Sequence, residues 1–295
     1  MTYETFKERV MDAVNEALGT GVKVIIQKVQ KNNGLELDGL TIMDNRTNIA
    51  PTIYLNYYYH LLSDGRRDLQ EIITDILETY EEHRQSSSID LSFFTDFEKV
   101  KEKILFKLIN TEQNTKLLDE VPSVSFLDLS IIFYYLFDST DSGNATILIR
   151  KEHLDFWKVN ADDLLHIAKE NTPKLLPYTL NSMLDIIAGI KADVPPMDTD
   201  ELLPMYVLTN ESNNFGAAAM LYDDVLKSFA DRKNSDFYIL PSSVHELILI
   251  PADMVEDTEY LTEMVQQVNL EQVPNEEILS DHAYYYNRTT NQITY

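Results

Sequence analysis

The chain has 295 residues, 44% apolar and 10% aromatic, with a net charge of −25; this length and composition exclude a disordered chain and supply one large core or two ordinary ones. It contains no cysteine, which excludes disulfides, thiolate nucleophiles, zinc–thiolate centres and iron–sulfur clusters. The charge is uneven: residues 116–295 hold 11 basic and 30 acidic side chains, and residues 234–287 hold 11 Asp and Glu but no Lys or Arg. Such a surface repels phosphate backbones and anionic lipid, so no direct nucleic-acid or membrane partner is expected, while a basic protein partner is permitted.

The N-terminal stretch "MTYETFKERVMDAVNEALG" carries charge from its fourth residue and has no signal-peptide core, and no run approaches 18 apolar residues. A cytoplasmic protein is expected. Phe6, Val10, Ala13, Val14, Ala17 and Leu18 recur at helical spacing, and Gly19 stands where a left-handed cap belongs. "VKVIIQKVQ" and "LELDGLTIM" read as strands joined by a turn at Asn33-Gly34. Leu35 and Leu37 alternate out of phase with Leu40 and Ile42, which predicts a β-bulge at Asp38-Gly39.

"PTIYLNYYYHLLSDG" predicts a short strand entering a tyrosine-rich helix. "DLQEIITDILETYEEHRQ" predicts a helix with Leu69, Ile72, Ile73, Ile76, Leu77 and Tyr80 on one stripe. After the polar "QSSSID", the spacing of Phe97, Val100, Ile104, Leu105 and Leu108 predicts another helix, and "NTEQNTK" marks a seam near residue 113. Two subdomains follow: an N-terminal α+β unit over 1–113 and an acidic C-terminal α+β unit over 114–295.

In the second half, "VSFLDLSIIFYYLF" and "ATILIR" pair as a hairpin or, for "IIFYYLF", form a buried helix. Asn160 is placed to cap the helix "NADDLLHIAKEN", "YTLNSMLDIIAGI" reads as helical, and "KADVPPMDTDELLP" as a loop. From residue 205 the order is strand, helix, strand, strand, helix, hairpin. The helix is expected to run through "NNFGAAAMLYDDVLKSFADRK", capped by Asn213 or Asn214. The fold class is α+β, with mixed or antiparallel sheets and helices packed on one face.

The amphipathic first helix, the "NNGLELDGL" hairpin, "PTIYLNYYY" and the "YEEHR" helix end together resemble an uncharacterised family of acidic proteins from gut anaerobic bacteria. The resemblance covers the whole chain and implies no catalytic residue. Residues 205–253, with "MYVLTN", "FYILP", "SSVHE" and "LILIPAD", resemble part of a second uncharacterised bacterial family.

Ser243, His245 and Glu246 bring a serine, a histidine and a carboxylate within four residues, and are the catalytic candidates. No Gly-x-Ser-x-Gly elbow or Gly-rich oxyanion loop accompanies them, so the turn of a buried hairpin is the favoured reading. His245-Glu246 and Asp281-His282 could hold a metal only by meeting in space, and neighbours on a strand face opposite ways. No cofactor or metal is expected. Tyr57, Tyr58 and Tyr59 are interface candidates, because three consecutive tyrosines on a helix cannot all face one core. Binding of another macromolecule through the acidic second half is therefore the leading function. A hydrolase of unrecognised type, or an acidic nucleic-acid mimic that blocks a nuclease, is the alternative.

Overall fold

The computed structural model describes residues 1–44, 50–83, 92–140, 143–190, 204–255 and 257–295. The "QSSSID" stretch and most of the Pro-rich loop lie outside them. The described residues form two compact units, Met1–Lys31 with Leu35–Ser92, and Asn32–Gly34 with Phe93–Tyr295.

In the first unit, α1 (Tyr3–Leu18) starts at Thr2, whose hydroxyl accepts the Thr5 N–H, and ends at Gly19 with φ +69°. Its Phe6, Val10 and Val14 are fully buried. They face a three-stranded sheet of β1 (Val22–Gln30), β2 (Glu36–Asp44) and β3 (Thr52–Tyr54), followed by α2 (Leu55–Ser63) and α3 (Leu69–His83). Ile72, Ile73, Ile76 and Tyr80 are the buried stripe of α3, as the spacing predicts. The hairpin turn holds Asn33 at φ 57° and Gly34 at φ 67°.

The expected bulge is absent. β1 and β2 stay in register from Val22↔Asp44 to Gln30↔Glu36. Leu40 and Ile42 enter the core, and the alternation places Leu37 on the other face. Gly39 serves packing instead: a Cβ there would lie 2.5 Å from Thr52 Cγ2 and 2.9 Å from Val29 Cγ2.

In the second unit, the helix expected through Leu108 stops early. α4 (Phe97–Val100) gives way to β4 (Ile104–Asn110), a strand buried on both faces except at Lys107. A strand covered on both sides reads as an unbroken apolar run, which mimics helical spacing. β4 pairs along its length with β6 (Leu129–Thr140), so residues from 93 onward belong to the second unit, and the division falls ahead of the "NTEQNTK" seam. α5 (Thr115–Glu120) follows. β5 (Ser123–Phe126) and β7 (Gly143–Leu148) share the other edge of β6 end to end. "IIFYYLF" is thus a strand.

α6 (Lys151–Trp157) and α7 (Ala161–Leu175) follow, and α7 lies on β4. The Asn160 side chain caps α7 by accepting the N–H groups of Asp162 and Asp163. "YTLNSMLDIIAGI" begins as a strand, β8 (Tyr178–Ser182), and only then becomes α8 (Met183–Ile190), because its first five residues pair with β9 (Tyr206–Asn210).

The remaining strands are β10 (Phe237–Leu240), β11 (Leu247–Pro251), β12 (Tyr284–Asn287) and β13 (Gln292–Thr294). The six-stranded sheet runs β13-β12-β10-β11-β9-β8, every pair antiparallel. The fold is α+β. On one face Phe237, Ile239 and Leu249 pack with α9 (Val225–Lys233); on the other Leu240 and Ile250 pack with Leu261 and Val265 of α10 (Thr258–Glu271). Helices therefore cover both faces of this sheet.

The helix expected over "NNFGAAAMLYDDVLKSFADRK" is two pieces. A 3-10 segment, Gly216–Leu221, is separated from α9 by an extended Tyr222 and a left-handed Asp224 at φ 61°. Ala217, Ala218 and Ala219 are all buried, which no one-sided helix allows. Neither Asn213 nor Asn214 caps it. The Asn210 carboxamide oxygen accepts the Ser212 and Asn214 N–H groups instead. Among the described residues, no helix is long and apolar enough to cross a membrane.

Candidate functional site

Proline has no N–H to extend a ladder, so β10 stops before Pro241, and residues 241–246 turn the chain into β11. Two neighbours fix this turn. On one side, Val244 N–H donates to Glu277 O (2.8 Å), Leu279 N–H to Ser242 O (3.1 Å) and Ser280 N–H to Pro241 O (3.0 Å). On the other, Ala217 N–H donates to Val244 O (3.2 Å) and the Thr209 hydroxyl to His245 O (2.7 Å).

Side-chain amides hold segment 275–280 in turn. Asn33 Nδ2 donates to Asn275 O and Ile278 O, both at 2.7 Å. Asn110 Nδ2 donates to Leu279 O (3.0 Å), and Asn269 Nδ2 to Ser280 O (2.9 Å). Asn33 and Asn114 also bond each other twice, through Asn33 N–H to Asn114 Oδ1 and Asn114 Nδ2 to Asn33 Oδ1. The carboxamide oxygens of Asn33 and Asn110 also accept hydrogen bonds, whereas that of Asn269 is buried without a partner among the described residues; together these amides fix one backbone path.

Ser243, His245 and Glu246 do not converge. The Ser243 hydroxyl is buried and accepts the backbone N–H of His245 at 3.0 Å. The imidazole turns elsewhere: Nδ1 accepts the Phe215 N–H (3.3 Å), and the ring stacks on Phe215 at 5.8 Å and 15°. That contact assigns the ring proton to Nε2, which lies 3.6 Å from Glu277 Oε1. The carboxylate beside the histidine is thus Glu277, not Glu246. Phe215 and Glu277 are 30 and 32 residues from His245, so no local motif announces them. On the sheet side, Lys107 Nζ sits 3.9 Å from the Phe215 ring centroid, a cation–π contact.

Behind the turn lies a cavity of about 240 Å³. Met205, Leu240 and Ile248 supply its sheet side, Met264, Val265 and Val268 of α10 its helix side, and Ser242, Ser243 and Glu246 a polar end. Glu246 is exposed. Neither its carboxylate nor the Ser242 hydroxyl has a hydrogen-bond or ion-pair partner among the described residues. His245 does not line this cavity.

Three other candidate features resolve simply. Among the described residues, no group of His, Asp and Glu is placed to hold a metal, so His245-Glu246 and Asp281-His282 do not meet for that purpose. Of the three tyrosines, Tyr57 is 64% exposed, Tyr58 is buried, and Tyr59 packs on Tyr3 at 4.8 Å while donating to Met1 O. Only Tyr57 presents its ring openly. In β12 the hydroxyls of Tyr284, Tyr285 and Tyr286 donate to Asp128, Asp236 and Asn291, as sheet residues with satisfied polar tips.

Asp236 illustrates how these contacts act on charge. The hydrogen bond from Tyr285, then the N–H of Arg288, hold its carboxyl below the usual aspartate range. The same contact, with burial and the nearby charge, pushes the Tyr285 phenol up to about 12.

A model of a family of unknown function, DUF5688, matches residues 3–288. The chain belongs to DUF5688. No curated protein and no solved structure matches it. The DUF5688 match covers nearly the whole chain, as the resemblance of its opening motifs implies. It spans both compact units, so the 241–246 turn, the asparagine-held segment and the cavity under α10 all lie within the DUF5688 region.

Proposed function

We propose that this DUF5688 protein works by binding a basic protein through the acidic surface of its second unit. Seven carboxylates of the base-free stretch are exposed: Glu246, Asp253, Asp257, Glu259, Glu263, Glu271 and Asp281. None forms an ion pair among the described residues, and this is the observation that carries the reading. Unpaired carboxylates on one continuous stretch of chain favour a cationic partner and speed its approach.

A hydrolytic role for the Ser243 turn is less well supported. A nucleophilic serine needs an imidazole at its hydroxyl and donors for an oxyanion. Here the hydroxyl oxygen accepts a backbone amide, and the imidazole that would have to take its proton is held by Phe215 and faces Glu277 instead.

Affinity capture with the full chain, at low and at high salt, tests the proposal. Charge-driven contacts between exposed groups weaken as the Debye length shrinks, from about 10 Å at 0.1 M salt to about 3 Å at 1 M. A basic protein retained at low salt and released at high salt is the expected result. A captured partner without excess positive charge, or retention indifferent to salt, overturns it.

A further inference from the structure

The cavity under α10 says more about what such a partner must present. Protein interiors leave few voids larger than a water molecule. The space here, about 240 Å³, is well above that. Its body is formed by Met, Leu, Ile and Val side chains, so water gains little by entering. An aliphatic cavity of about 150 Å³ binds benzene. Pockets for drug-sized ligands and cofactors run from about 300 to 1,000 Å³. The cavity falls between these limits, which is room for one large side chain rather than for a nucleotide or other cofactor. Met205 and Met264, on opposite walls, are unbranched and polarizable and adapt to apolar guests of different shape.

The polar end narrows the choice further. Among the described residues, the exposed Glu246 carboxylate and the Ser242 hydroxyl beside it have no partner, and no Lys or Arg lies between residues 233 and 288 in the chain. A cation arriving there meets a charge that nothing in the neighbouring sequence neutralises. Both groups sit at one end of an apolar space, so the complementary shape is an apolar side chain with a positive charge next to it.

We propose that this cavity is the anchor pocket for a protein segment in which a large apolar residue adjoins a lysine or arginine. The apolar side chain fills the space between α10 and the sheet, and the cation pairs with Glu246. This rests on the reading of a basic protein partner and specifies the contact that partner makes. Anchors of this kind, seated in a desolvated pocket with a charged rim, carry most of the energy of many interfaces.

The experiment uses the full chain with methyl-labelled methionine, so that Met205 and Met264 report from inside the cavity. The probes are three capped dipeptide amides: acetyl-Phe-Lys, acetyl-Phe-Glu and acetyl-Ala-Lys. Acetyl-Phe-Lys is expected to shift both methyl signals saturably. Acetyl-Phe-Glu should bind about five-fold more weakly, the size of one exposed ion pair, and acetyl-Ala-Lys should leave the signals unmoved. Glu246→Gln should erase the preference for lysine over glutamate. Val268→Phe should fill the cavity and abolish the shifts; should that variant fail to fold, the Glu246→Gln comparison still decides. Unmoved methyl signals with acetyl-Phe-Lys, equal affinity for the lysine and glutamate peptides, or equal shifts from the alanine peptide would each overturn the assignment. If the peptides fail while salt-sensitive capture persists, the pocket falls and the acidic-surface reading stands. If the peptides bind as stated while capture is indifferent to salt, the reverse holds.

Discussion

Replacing Gly216 with alanine should destabilise the second unit by an amount that can be worked from local geometry. A Cβ at this position would lie 2.1 Å from Thr209 Oγ1, 2.4 Å from His245 O and 2.8 Å from Asn210 N. Reaching even a 3.0 Å separation requires Thr209 to retreat by 0.9 Å (3.0 − 2.1), and the other two atoms are backbone. Thr209 can move only by giving up its hydrogen bond to His245 O at 2.7 Å, which costs about 1 kcal/mol. Overpacking against the two backbone atoms adds about 1–3 kcal/mol. The sum is about 2–4 kcal/mol, or roughly 4–16 °C in Tm for a unit of this size. The assay is thermal unfolding followed by tryptophan fluorescence. Trp157, the one tryptophan of the chain, is buried in the second unit and donates to Phe94 O, so its emission reports that unit. Gly189→Ala is the control, since a Cβ there meets nothing within 4 Å. A Gly216→Ala protein that melts within about 2 °C of the parent would refute the reasoning, because it would mean that the turn and the 3-10 segment separate without cost.

Other outcomes follow from the same contacts. Ser243→Ala leaves the half-buried His245 N–H without its acceptor and should lower stability by about 1–2 kcal/mol in urea titration; loss of a measurable hydrolytic activity in this variant would instead favour an enzyme. Asn160→Ala removes the cap of α7 and should cost about 1 kcal/mol, read by the same titration. Asp236 is held below its ordinary pKa, so its contribution is complete above the unfolded value of about 4 and fades as pH falls through the lower folded value. The stability gap between the parent and Asp236→Asn should therefore be widest near pH 6 and shrink below pH ~4; a gap that widens in acid would contradict the assignment.

The sequence was readable where one local rule was enough. The α3 stripe, the Asn33-Gly34 turn and the Asn160 cap each depend on residues a few positions apart, and each formed as expected. Legibility failed where tertiary burial replaced periodicity. Ile104–Asn110 is covered on both faces, so its nearly unbroken apolar run extends the spacing of Phe97 and Val100 as a helix would and hides the period of two. Ala217, Ala218 and Ala219 look like helix formers but are enclosed on all sides and bent into a 3-10 segment. The phase change at Gly39 signalled close packing from two neighbouring strands, not an extra residue. At the candidate site the local cluster was visible, while its chemistry was not. Glu277, Phe215 and the walls of the cavity come from distant segments that only the sheet and α10 bring together.

The grip of Asn33, Asn110 and Asn269 on residues 275–280 has a consequence for how this protein can vary. These amides read carbonyl oxygens, not side chains. Substitutions at Glu276 or Ile278 leave the gripped atoms in place, whereas a one-residue deletion would slide every oxygen out of step with its amide at once. Those two positions should be permissive toward changes of identity and the segment intolerant of changes in length, while Leu279 and Ser280 are fixed by burial as well.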